Sequence, residues 1–408
     1  MSRFELLAPT GDMERLETAL RFGADAVYLG GPKLQLRAAS AGFDMETLAR
    51  AVHYAHERGR RVYVTVNAFA NNAEAAEIDA YAGALAELGV DAVIVADLGL
   101  IAQIHKTHPR LAIHVSTQAN CTNYLAARTY WELGARRVVL ARELTLEEIA
   151  GLRRLTPPEL ELEAFVHGAM CMAYSGRCLI SAHLTGRSAN RGGCAQSCRW
   201  SYQLLEEKRP GEYFPIEEDE TGTTILSSRD LNALPFLDQL MEAGVTSFKI
   251  EGRMKTAYYV ATVVNAYRRR LDQILSGAAE PTVAELEREL DAASHRAWSS
   301  GFYFGELRDA PPDSGIYLQD CVFAGVVERM DGPRAVFSLR NRIRADEVIE
   351  VLTPGAASFA LPARDLRDEN GGAVEIAQVP GRVYSFLPDR PLRPGDILRL
   401  RADGCRRG

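Results

Sequence analysis

The chain has 408 residues, room for one large domain and a smaller companion. Its composition, 47% hydrophobic, is that of an ordinary globular protein and excludes a disordered chain. A net charge of −7 excludes the global basic field of a broad nucleic-acid binder, though not a local patch. The opening MSRFELLAPTGD lacks the apolar core of a secretory signal, and runs such as Ala92–Ala96 are too short to span a bilayer. The expectation is a cytoplasmic protein with no membrane partner.

From the N-terminus, β-rich apolar runs alternate with segments of helical period. The runs are ELLAP (5–9), AVYLG (26–30), VYVTVNAF (62–69), AVIVAD (92–97), IHVSTQ (113–118), RVVLAR (137–142), LEAFVH (162–167) and SFKIEG (247–252). Helical segments are expected at Met13–Phe22, Met45–Arg58, Ala73–Leu88, Leu98–Lys106, Tyr124–Leu133 and Leu146–Leu152. Gly23, Gly89, Gly134 and Gly244 precede strands as helix C-caps. Eight phased strands without a G-x-G-x-x-G after the first favour an α/β fold of the (β/α)8 TIM-like type over a doubly wound open sheet. The barrel is assigned residues 1–275, with an insertion at 168–225 in the long gap before the last strand. Such an insertion lies over the C-terminal face, where barrel enzymes do chemistry. Residues 276–309 read as a helical linker with a helix at Glu285–Ala293. Residues 310–408 read as a small antiparallel β-barrel domain, with strands at Val322–Glu328, Ala335–Leu339, Val348–Leu352, Val374–Ala377 and Asp396–Leu400.

Seven cysteines, an odd number, argue against a disulfide framework. Four of them, Cys171, Cys178, Cys194 and Cys198, fall in a window where an even spread would place roughly half a cysteine. The spacing is C-x6-C-x15-C-x3-C. Four thiolates suit a [4Fe–4S] cluster or zinc, and the long first gap is poor for a zinc knuckle. The cluster is the favoured reading, with zinc and unligated or catalytic thiols as alternatives. Gly168, Gly176, Gly192 and Gly193 would let backbone approach a bulky group. His167, near the end of the seventh strand, is either a buried structural histidine or a group for proton transfer. Paired with Cys171 it would suggest a cysteine protease, a role a metal-bound thiolate cannot fill.

Polar residues at the other strand ends complete a ring: Thr10, Asp12, Arg37, Asn67, Asp97, Ser116, Thr117, Gln118, Arg142, Glu143, Glu251 and Arg253. Asp12 has a structural alternative as a helix cap. With its arginines the ring suits a small anionic co-substrate or an RNA phosphate. Further arginines gather at Arg187, Arg191 and Arg199, at Arg268–Arg270, and at Arg393, Arg399, Arg401, Arg406 and Arg407. H-E-x-x-H, G-x-S-x-G and Walker A motifs are absent, so common hydrolase and nucleotide chemistries have no support.

ELLAPTGDMERLETALRFGADAVYLGG, VSTQANCTNY, RVVLARELTLEEI, FVHGAMCMAYSGRCLIS, NRGGCAQSCRW, SFKIEGRMKTAYYV and SHRAWSSGFYFGE together resemble peptidase family U32, the collagenase-like proteins. The likeness runs the length of the chain and points to the long-chain branch, associated with 5-hydroxyuridine formation in tRNA. It implies a [4Fe–4S] cluster on the four cysteines and tRNA as partner. It further implies oxygen-independent C5-hydroxylation of the wobble uridine, with prephenate as co-substrate. Carried over by position are His167, Arg142, Glu251 and Arg253 as catalytic candidates. Arg37 and Gln118, with the nearby Arg191 and Arg199, are the substrate-binding candidates. Where relatives tend to read Arg-Asp-x-Asn, this chain has Arg187-Ser188-Ala189-Asn190. Rival functions are a peptidase, a hydroxylase of another RNA such as ribosomal RNA, and a non-catalytic, metal-stapled RNA-binding module.

Overall fold

The computed structural model describes residues 4–36, 42–170, 180–187, 229–305 and 317–402, with short pieces between 194 and 224. Eight parallel strands form its centre: β1 (Glu5–Pro9), β2 (Ala26–Gly30), β3 (Arg61–Val66), β4 (Ala92–Val95), β5 (Ala112–Val115), β6 (Arg137–Val139), β7 (Glu161–Ala169) and, after β8 (Asp230–Asn232), β9 (Ser247–Ile250). Each pairs with its neighbour in register, and β9 pairs with both β7 and β1. That double pairing closes the sheet into the expected barrel and removes the doubly wound alternative. The strands are mostly apolar because both faces are covered, one by helices and one by the barrel's own interior, where a few buried polar and charged residues also lie.

Helices α1 (Met13–Arg21), α2 (Met45–His56), α3 (Ile78–Glu87), α4 (Leu98–Thr107), α5 (Tyr124–Glu132) and α6 (Leu146–Arg154) follow the first six strands. The segment expected as one helix at 73–88 is two, broken at Glu77, which ends the first turns and begins α3. Side-chain caps start the others: Asp12, Asp44, Asp97, Asn123 and Thr145 each accept a first-turn N–H. Each such cap stabilises its helix by about 1 kcal/mol. Gly23, Gly89, Gly134 and Gly244 all have positive φ, as the αβ-turn reading requires.

After β8 come α7 (Leu237–Glu242), β9 and the long α8 (Ala257–Ser276), which packs against α9 (Val283–Leu290). The chain then returns to the barrel. β10 (Trp298–Ser299) pairs with β8, which itself runs antiparallel to the end of β7. The segment read as a linker thus contributes a strand to the barrel sheet.

The C-terminal part is a seven-stranded antiparallel sheet in the order β14 (Phe359–Pro362), β13 (Val348–Leu352), β17 (Ile397–Arg401), β11 (Cys321–Asp331), β12 (Arg334–Leu339), β16 (Val383–Leu387), β15 (Arg364–Arg367). It carries its own apolar core around Phe337, Phe386, Ile349 and Leu398. β16 was missed in the sequence although VYSFL alternates, with Tyr384 and Phe386 buried and their neighbours part-exposed. The sheet is fastened to α8 and α9. Asn265 in mid-α8 donates to the Ala356 carbonyl (3.1 Å) and accepts from the Gly355 N–H (2.8 Å). Arg399, 1% exposed, pairs with Glu289 and with Glu350 at 2.9 Å.

Several arginines that the sequence offered for RNA are therefore committed elsewhere. Arg399 is buried in that junction, and Arg401 pairs with Glu350 at 2.8 Å. Arg268 pairs with Asp25 at 3.1 Å and Asp272 at 2.5 Å, and Arg270 donates to the Leu234 carbonyl.

Candidate functional site at the barrel mouth

Strand parity decides which side chains enter the barrel. At its N-terminal end these are Glu5, Tyr63, His114, Arg137, Glu163 and Ser247. Arg137 donates to Glu5 at 2.6 Å and Glu163 at 2.9 Å, and reaches Glu161 at 2.6 Å. The Tyr63 hydroxyl donates to Glu5 at 2.7 Å. Burial alone would raise the Glu5 carboxyl; Arg137, Arg61 and the Tyr63 hydrogen bond overcome it and hold it below its ordinary value. His114 is held neutral by burial and by Arg137, Lys249 and Arg61.

One layer higher, Lys249 donates to Glu163 at 2.9 Å. Its ammonium also lies 4.4 Å from the Tyr28 ring centroid and 5.5 Å from that of Phe165. The Tyr28 hydroxyl lies 3.0 Å from the Ile250 carbonyl and 3.3 Å from Glu251 Oε2, both acceptors. Arg142 caps Phe165, its guanidinium 3.9 Å from the ring centroid, and donates to the Ala169 carbonyl at 2.9 Å. Buried Arg253 reaches across β2 to donate to Thr65 Oγ1 at 3.2 Å. Gly30 leaves the room for this: a methyl there would collide with the Arg253 guanidinium and the Gln35 carboxamide. Arg142, Glu251 and Arg253 thus belong to one mouth, with Tyr28, Lys249 and Phe165 beneath them.

Gln118 sits on the opposite wall in a short 3-10 turn, its N–H donating to Ser116 Oγ at 3.3 Å. The same hydroxyl accepts from Asn67 at 3.3 Å. Thr117 bonds the Leu140 carbonyl, Thr10 the Tyr28 carbonyl, and Asp12 and Asp97 cap helices. Those four ring members have structural partners.

His167 is placed differently from its parity. Glu163 and Phe165 point into the barrel, so an unbroken strand would send His167 inward as well. The β7–β9 register shifts where Lys249 and Ile250 face Phe165 and His167, a bulge that skips Val166. The imidazole consequently packs outside the barrel, against Tyr259 (5.9 Å), Tyr267 (5.4 Å) and Trp298 (5.1 Å). It is 1% exposed, and Nδ1 has no hydrogen-bond partner. Burial pushes it down to about 3, only partly opposed by Asp230. Gly168, next along, has φ +103°, and a side chain there would strike the Glu251 carbonyl. Its openness serves the β7–β9 contact.

Cys171, Cys178, Cys198, Arg37, Arg191 and Arg199 lie outside the described residues. Cys194 is described, half-buried and not in a disulfide. Among the described residues no group of three or more His, Cys, Asp or Glu is set to hold a metal ion. No helix among them is long and apolar enough to cross a membrane.

Tyr28 and Lys249 are the mouth residues that sequence reasoning missed. Lys249 had a readable signal: a charge in the middle of a strand covered on both faces must find a buried partner. Tyr28 had none, since AVYLG reads as plain core.

The family model for peptidase family U32 matches residues 11–310, and that for the peptidase family U32 C-terminal domain matches residues 319–399. The tRNA hydroxylation protein P1 of Bacillus subtilis is 35% identical, covering 97% of this chain and 94% of that protein. The tRNA hydroxylation protein P of Escherichia coli is 34% identical over 95% of this chain and 94% of its own length. The 23S rRNA 5-hydroxycytidine C2501 synthase of Escherichia coli is 38% identical over 67% of this chain and 40% of its own. By model matches over both parts and near-full-length relatives, the chain belongs to peptidase family U32.

Proposed function

We propose that this protein is an RNA-modifying enzyme that hydroxylates C5 of the wobble uridine of tRNA. One observation carries the reading: Arg142, Glu251 and Arg253 converge on one barrel mouth in a chain whose full-length relatives are tRNA hydroxylation proteins. An unpaired base flipped into the mouth would lie among them. Arg142 and Arg253 give it planar cationic donors suited to the carboxylates of a small anionic co-substrate, for which prephenate is the candidate. Replacing C5–H by C5–OH adds one oxygen atom and removes two electrons. The reaction therefore needs an oxygen source such as water and an external electron acceptor, and the C5 proton leaves the base. Glu251, oriented by the hydroxyl of Tyr28, whose ring faces the Lys249 ammonium, would take that proton.

Cys171, Cys178, Cys194 and Cys198 are proposed to hold a [4Fe–4S] cluster, which would supply the redox chemistry of the reaction. The support is their spacing and soft-ligand chemistry; Cys171 is the second residue after β7 ends at this mouth. Absorbance and EPR spectra after anaerobic purification test it. A colourless, zinc-loaded protein would refute the cluster.

The peptidase reading is weaker in this molecule. A histidine held near 3 is a poor base for a thiol whose ordinary pKa is about 8.5. Nucleoside mass spectrometry of tRNA from a deletion strain decides the main proposal. Loss of 5-hydroxyuridine-derived nucleosides, restored by the gene, is the expected result; unchanged levels in a strain without a redundant enzyme would reject it.

A further inference from the structure

Two exposed aromatic side chains stand out among the described residues, Phe304 at 60% and Tyr317 at 43%. Every other Phe, Tyr and Trp whose side chain is described is buried or half-buried. Both lie on the mouth side of the barrel. Phe304 belongs to a tight turn between Gly301 and Gly305, both with positive φ. The turn is pinned to the mouth: the Tyr303 hydroxyl donates to the Phe165 carbonyl at 2.5 Å, and the Tyr303 carbonyl accepts from Leu146 N, at the start of α6, at 3.0 Å. Phe165 is the residue whose ring carries Arg142. Phe236 backs the Phe304 ring edge-on at 5.0 Å, so the ring is propped up while most of it stays in water.

Tyr317 marks the adjoining stretch of the rim. The Lys255 ammonium lies 4.8 Å from its ring centroid, on the loop that follows β9, and is tethered to the Ser294 carbonyl at 3.2 Å. Arg15, at the start of α1, holds the Lys255 carbonyl at 2.6 Å. The two rings therefore flank the ends of β7 and β9, Tyr317 beside the Lys255 ammonium.

We propose that Phe304 and Tyr317 form a stacking platform for the unpaired bases beside the one that enters the mouth, so that the protein selects RNA loops over duplexes. This rests on the RNA reading given above. Two exposed rings on one rim, one propped from behind and the other beside an ammonium, match a nucleotide's flat π face and its phosphate, and stacking is available only to bases not already stacked in a helix. A polypeptide partner would gain from apolar contact but would not distinguish a loop from a duplex, which the test below reads.

The test is fluorescence-anisotropy binding of an anticodon stem–loop RNA, and of a fully paired RNA of the same composition, to the full-length protein. Phe304→Ala should weaken loop binding roughly five- to a hundredfold, the range for loss of one base–aromatic stack. Phe304→Trp should preserve it, and duplex binding should be weak and indifferent to both changes. An exposed ring can be removed without unfolding, which a thermal melt of each variant checks. Equal loop binding by wild type and Phe304→Ala would overturn the proposal, as would competition by gelatin as effective as by RNA. The readout is separate from catalysis. Phe304-dependent loop binding without hydroxylation would leave the platform standing and remove the function; hydroxylation with Phe304→Ala binding unchanged would do the reverse.

Discussion

The two ends of the barrel interior use the same residue types for opposite purposes. At the N-terminal end the charged groups are committed to one another: Arg137 to Glu5, Glu161 and Glu163, and Glu5 also to Arg61. At the mouth, Arg142 lies over the Phe165 ring and donates to the Ala169 carbonyl, and Arg253 donates to the Thr65 hydroxyl, all at the strand ends. Glu163 joins the two ends, shared between Arg137 below and Lys249 above. The buried ion-pair network at the N-terminal end holds the barrel together; the charges at the mouth stand at the strand ends, where barrel enzymes bind their ligands. This follows the division of barrels into a stability face and a chemistry face.

That division predicts different phenotypes for isosteric changes at the two ends. Glu251→Gln at the mouth should lower the 5-hydroxyuridine content made by the complemented deletion strain by about a hundredfold or more, the scale for losing a positioned proton acceptor. Its urea midpoint should stay at the wild-type value. Equal activity with a shifted midpoint would reverse the roles assigned to the two ends.

At the other end, Arg137→Met should cost about 3–5 kcal/mol, because it strands buried carboxylates. Acid unfolding supplies a signature beyond the midpoint. The Glu5 carboxyl, held below its ordinary 4.5 in the folded protein, contributes stability that is present above pH 4.5 and lost as pH falls through its folded value. With Arg137 gone that depression goes too. The variant should therefore be less stable at pH 7 yet lose less of its remaining stability below pH 4.5. A parallel pH profile for the two proteins would disprove the account.

His167 gives a third, smaller effect, also in acid. Its folded value near 3 lies below the ordinary 6.5, so the unfolded chain takes up the proton first. Stability is complete above pH 6.5 and declines below it, by at most about 1.4 kcal/mol per pH unit. His167→Gln should flatten that decline between pH 6 and roughly 4. An unchanged slope would show that the ring is not held neutral by its aromatic surroundings.

What could be read from the chain, and what could not, follows the same physics. Strand and turn positions were legible because burial on two faces forces apolar runs, and helix ends force glycines such as Gly23 and Gly89 into positive φ. Arg142, Glu251 and Arg253 were legible because strand ends in a barrel share one rim. His167 was not, since a single bulge reverses the direction of a side chain and no residue in LEAFVHGA announces it. Arg268, Arg270 and Arg399 misled for another reason. Composition reports charge but not the carboxylate across the fold, and Asp25, Glu289 and Glu350 are far away in sequence.

The smallest expected effect draws the boundary of the stability end. Arg61 also pairs with Glu5, but its side chain is 38% exposed where that of Arg137 is 3%. Water screens the outer partner and already solvates it in the unfolded chain, so the two arginines should differ in worth although they hold the same carboxylate. Arg61→Gln should cost at most about 1 kcal/mol. The loss should shrink in high salt, because screening weakens an exposed pair and hardly reaches a buried one. A salt titration of the urea midpoint for Arg61→Gln and Arg137→Met side by side measures this. If Arg61→Gln cost as much as Arg137→Met at every ionic strength, the N-terminal network would extend to the barrel's outer surface, and Glu5 would depend on both arginines alike.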